Sequence, residues 1–101
     1  GFDANVVRWL GQLKMDVPPE EMFDDFLSRQ EKLSTDDGVT FILVDLTGLQ
    51  PQAAPSAPTM LAAMGEIKGA TVFVKMTGSI NAVQRNQEKF KSLCRTIKAK
   101  E

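Results

Sequence analysis

The chain has no histidine, no tyrosine and a single cysteine, Cys94, among its 101 residues. Without histidine there is no Ser-His-Asp or Cys-His catalytic pair, no imidazole metal ligand and no side chain that titrates unperturbed near neutrality. One cysteine makes neither an intrachain disulfide nor a Cys-x-x-Cys site. The glycines are too scattered for a phosphate-cradling loop, and no DxDxDG-like run offers calcium its oxygen ligands. No apolar run approaches the roughly 20 residues that cross a bilayer, and no charged, apolar and small-residue leader pattern opens the sequence. The usual residues of hydrolase, zinc and nucleotide-cofactor chemistry are therefore missing, and no cofactor or metal is expected.

What is present belongs to an ordinary globular domain: 43% of residues are hydrophobic and 25% charged. Folding at this length buries roughly two-thirds of the unfolded chain's surface, enough for a core without disulfides. Residues 1–101 therefore read as one domain. The net charge of −1 hides an asymmetry, with ten acids and four bases in residues 1–50 against three acids and eight bases in residues 51–101. Six bases, Arg85, Lys89, Lys91, Arg95, Lys98 and Lys100, fall in the last segment. No aromatic residue stands on this basic face to stack on bases, so the segment reads as the solvated side of a C-terminal helix, and no nucleic-acid partner is expected.

Periodicity orders the elements. Asp3 is a candidate N-cap for a helix over DANVVRWLGQL, where Val6, Trp9, Leu10 and Leu13 recur at helical spacing. A second helix starts near Pro18 and Pro19, has Glu20 and Glu21 in its first turn, carries Met22, Phe23, Phe26 and Leu27 on one side, and ends near Gln30. Lys32 to Thr35, a turn at Asp36-Asp37-Gly38, and Val39 to Leu46 make a β-hairpin whose second arm is apolar on both faces and hence central. LQPQAAPSAP is a loop. Thr59 to Ile67 and Ala70 to Thr77 form a second hairpin around Lys68-Gly69, with Val72, Val74 and Met76 alternating against Thr71, Phe73, Lys75 and Thr77. One last helix places Ile80, Val83, Phe90, Cys94 and Ile97 on an apolar stripe, with Gln87 filling its gap. The result is an α+β fold, an antiparallel sheet of about four strands flanked by N- and C-terminal helices.

Few residues suggest chemistry. Asp36-Asp37 suits a turn, and Asp24-Asp25 diverge on their helix, so neither is a dyad. Asp45 sits in the most hydrophobic strand and needs a partner, for which Lys75 and Arg8 are candidates; a structural ion pair or a hydrogen-bonded strand end is its plainer reading, and a ligand contact the sharper one. Asn5, Arg8 and Gln12 make a polar stripe beside Trp9 that could grip a carboxylate or a peptide backbone. Packing is the plainer reading of Trp9, and a buried, inert thiol that of Cys94.

The motifs Asp3-Ala4-Asn5-Val6 with Arg8-Trp9 and Gly11-Gln12, Val44-Asp45-Leu46-Thr47-Gly48, Met60-Leu61-Ala62-Ala63 and Phe73-Val74-Lys75-Met76-Thr77-Gly78 resemble a family of uncharacterised bacterial exported proteins and lipoproteins. That family is similar in architecture to the PsbP-like fold. The resemblance implies that this chain is the C-terminal part of a larger PsbP-like domain lacking its first strands. It also implies a periplasmic or cell-envelope location, a membrane link only through a lipid anchor on a precursor, and no catalytic residues. The functional expectation is a non-enzymatic domain that binds a protein or small ligand through Asn5, Arg8, Gln12, Asp45 and Lys75. The alternatives are an assembly module pairing through an open sheet edge and, behind it, an enzyme with Asp45 and Lys75 paired in a cleft.

Overall fold

A computed structural model describes residues 2–98. The elements are α1 (Phe2–Gln12), α2 (Glu20–Ser28), β1 (Lys32–Ser34), β2 (Thr40–Asp45), a 3-10 turn at Leu46–Leu49, β3 (Pro58–Ile67), β4 (Ala70–Ser79), α3 (Ile80–Arg85) and α4 (Gln87–Arg95). The four strands form one antiparallel meander in the order β1-β2-β3-β4. The α+β class and the flanking helices read from periodicity are those observed.

Strand register separates the two faces of the sheet. Val44 lies opposite Ala62, and Ile42 opposite Met64, so with Met60 these side chains share one face. That face meets Val6, Trp9 and Leu10 of α1 and Phe23 and Phe26 of α2 in one buried cluster. One residue along, Phe41, Leu43, Leu61 and Ala63 point the other way and pack with Val83, Phe90 and Cys94 of α3 and α4. The fold is thus three layers: a helix pair, the sheet, and a second helix pair. Both central strands are greasy on both faces because both faces are covered. Gly65 opposes Phe41 in the register, and a Cβ there would lie 2.8 Å from the Phe41 ring, so this pair needs glycine.

Local chemistry moves several expected boundaries. Asp3 lies inside the first turn of α1, where its charge still favours the positive helix end. The expected single last helix is two, because Asn86 has non-helical dihedrals of −105° and 9°. Its side-chain Nδ2 donates to the Ala82 carbonyl at 2.8 Å, occupying an acceptor at the end of α3. The apolar stripe survives the break, since Val83, Phe90 and Cys94 all remain buried. The proline-rich loop is tied down at its ends. Gln50 donates to the Pro58 carbonyl and accepts from the Thr59 hydroxyl, and the amides of Ile80 and Asn81 donate to the carbonyls of Ala57 and Pro55.

Candidate functional site

Three places carry the residues singled out by sequence. On α1, the Arg8 guanidinium donates to Asn5 Oδ1 at 2.7 Å, while Asn5 Nδ2 points to the Met64 sulfur at 3.6 Å. Asn5 is thereby held against the sheet, Arg8 is exposed, and Gln12 is exposed outside the pair. Trp9 is fully buried, in keeping with a packing role, and its ring stands edge-on to Phe73 at 5.9 Å between centroids. Its indole Nε1 is buried with no hydrogen-bond partner among the described residues.

Asp45 takes neither partner proposed for it. Its Oδ1 accepts from the Thr47 amide at 3.0 Å and the Thr47 hydroxyl at 2.6 Å, which caps the 3-10 turn. Its other oxygen accepts a longer contact from Gln87 Nε2 at 3.4 Å. Asp45 opposes Leu61, and Leu61 opposes Met76, so Asp45 shares their face; Lys75 opposes Ala62 on the other face. The expected Asp45–Lys75 pairing is therefore corrected, because a shift of one residue along a strand reverses the side chain. Arg8 is engaged with Asn5 instead.

Asp45 does line a cleft of about 520 Å³ together with Phe26, Gln30, Thr47, Leu49 and Gln87. The cleft opens where β1 stops short. Beyond its three residues, the Leu43 amide donates to the Glu31 carbonyl, and the Gln30 side chain replaces the next strand residue. Gln30 Oε1 accepts from the Asp45 amide at 2.9 Å, while its Nε2 donates to the Phe26 carbonyl at 2.8 Å. Neither Gln30 nor Gln87 had signalled this role, since a glutamine that bridges two backbones looks like any surface glutamine in sequence.

Lys75 belongs to the third place, the free edge of β4. A two-residue turn joins β3 to β4 with φ of 52° at Lys68 and 80° at Gly69, the positive pair of a type I′ hairpin. In such a hairpin Ile67 and Ala70 exchange backbone hydrogen bonds, and every second residue after them does the same. The Ile80 amide, which donates to the Ala57 carbonyl at 2.9 Å, continues that ladder. The N–H and C=O groups of Thr71, Phe73, Lys75 and Thr77 consequently point away from the sheet. Ten consecutive pairs run from Pro58–Ser79 to Ile67–Ala70, leaving β4 without a bulge. It has no proline, and Lys75 is its one charged residue. Such an edge lacks most of the devices that discourage strand pairing. The opposite edge, β1, is short, and the Asp36 amide beside it donates to the Arg95 carbonyl at 3.4 Å.

Along β4 runs a groove of about 430 Å³, floored by Val74, Met76 and Phe90 and rimmed by Leu93 and Lys89. Leu93 is 57% exposed and Phe73 39% exposed. Sequence reading missed the α4 side of this groove because Leu93 falls off the apolar stripe and Lys89 reads as solvated helix. Lys91 differs from these groove lysines: it pairs with Glu31 at 2.9 Å and Glu88 at 3.6 Å. The Glu31 hydrogen bond raises its pKa against the opposing cost of burial, with further help from the two carboxylate charges. Cys94 is fully buried and its thiol pKa is pushed up by burial, a setting poor in thiolate. Lys100, the last of the six C-terminal bases, lies outside the described residues. No protein-family model, curated protein or solved structure matches the chain.

Proposed function

We propose that this domain is a non-catalytic binding module that takes an extended segment of a protein partner as a fifth strand along β4. The observation that carries the reading is the unbulged ten-residue edge of β4, with four residues presenting backbone donors and acceptors outward. The apolar groove beside it supplies what backbone pairing lacks, a place for the alternate side chains of the incoming strand. Against an Asp45–Lys75 enzyme stands the separation of those two groups on opposite faces. The family resemblance adds a cell-envelope setting to the proposal, with an exported precursor. The Asp45 cleft favours a second reading, a small polar ligand held by Asp45, Gln30 and Gln87.

Proline placement tests the first reading. Thr71→Pro with Thr77→Pro removes two outward N–H groups and no ladder bond to β3, so the fold persists. A synthetic peptide of about eight residues, the length of a paired strand, alternating valine and threonine, serves as probe. Binding slows amide exchange at Thr71, Phe73, Lys75 and Thr77, and the double variant abolishes the effect. Unchanged exchange along β4 overturns the strand-addition reading.

A further inference from the structure

The groove beside β4 carries a charge signature as well as an apolar floor. Its lining includes Lys75 and Lys89 and no acid, with the Lys75 side chain on the far face of β4 from the groove floor. Neither lysine has an ion pair among the described residues, whereas Lys91, one helical turn or less from Lys89, is tied to two glutamates. The lysines flank the apolar floor from different sides. Lys75 projects on the α1 face of β4, in register with Ala62, while Lys89 stands on α4 above the opposite face. An added strand has Lys75 as its direct neighbour on one face, and Val74 and Met76 as neighbours on the other, with Phe90 and Leu93 closing over them.

Resting on the strand-addition reading, we infer that the partner is an extended peptide of alternating acidic and apolar pattern, with a carboxylate opposite Lys75 and the apolar residues on both sides of it entering the Val74–Met76–Phe90–Leu93 groove. The period of two places apolar and acidic side chains on opposite faces at once, so both requirements are met by one strand. Opposite charges directly across a strand pair favour this register, and like charges oppose it. A second copy of this chain is a poorer occupant. Its β4 has Lys75 as its one charge and no acid to offer, and it would bring a second Lys89 towards the first.

The test compares three peptides of about eight residues, the length of a paired strand, alternating valine with glutamate, threonine or lysine, titrated into the full chain by calorimetry. The valine–glutamate peptide binds about fivefold more tightly than the valine–lysine peptide, the scale of one exposed charge pair changed from attraction to repulsion. Lys75→Glu reverses the order, and added salt narrows it. Equal binding of all three peptides, with β4 amides protected, overturns the acidic preference and leaves strand addition standing. Failure of all three with a monomer in light scattering overturns both. Failure with a dimer that Thr71→Pro with Thr77→Pro makes monomeric identifies a second copy as the occupant and overturns the acidic partner.

Discussion

Trp9 shows how a single side chain can stabilise and cost at the same position. Its ring fills the centre of the α1–sheet cluster, yet its Nε1 is buried without an acceptor among the described residues. A buried donor left unpaired costs about 1–3 kcal/mol. Trp9→Phe removes that donor together with part of the ring, so the two effects offset, and the net loss stays below about 2 kcal/mol. Trp9→Ala forfeits the ring itself and costs about 3–5 kcal/mol. Urea unfolding of the two variants measures the difference. A Trp9→Phe loss as large as that of Trp9→Ala would mean that the N–H is satisfied. Sequence spacing placed Trp9 in the core correctly, but the missing acceptor depends on what surrounds the indole in space.

At the scale of elements, the end of β2 is held by side chains in place of a neighbouring strand. Asp45 caps the 3-10 turn through Thr47, and Gln30 occupies the position that a longer β1 would fill. Asp45→Ala removes the cap and costs about 1 kcal/mol, while Asp45→Asn keeps an acceptor and costs a few tenths. Thermal unfolding distinguishes a capping role, which asparagine preserves, from a need for charge, which it does not. The strands, their hairpins and the helices on each side were legible because each carries its own period and turn residues. The break at Asn86 was not legible, and at Asp45 a hydrogen-bonded strand end was legible but not its Thr47 partner, since both arise from a polar side chain choosing one backbone group among several within reach. The pairing of Lys75 with Asp45 was misassigned, because the two face apart. Facing is set by register, and register by the whole meander.

At the scale of the whole molecule, Cys94 and Lys91 hold their protons to higher pH in the folded state than in the unfolded chain. Burial raises the Cys94 thiol above its ordinary 9.0, with the Arg95 charge opposing, and the Glu31 hydrogen bond leads the rise of Lys91 above 10.5. A folded pKa above the unfolded value gives stability that is intact below the unfolded pKa and lost as pH climbs through the folded one. Melting temperature therefore falls above about pH 9, first through Cys94 and then through Lys91, and Cys94→Ala flattens the first part of the fall. A melting temperature that holds level across this range would contradict the burial of the thiol. The sequence by itself determined the α+β class, the order of elements, the two hairpins, the buried Trp9 and Cys94, and the lack of histidine chemistry, because each follows from residue type or local period. Only the tertiary structure decided that Asp45 and Lys75 face apart, that glutamines shape a cleft, and that β4 ends the sheet beside a basic apolar groove. Those features join residues far apart in the chain, and their geometry exists only once both faces of the sheet are packed.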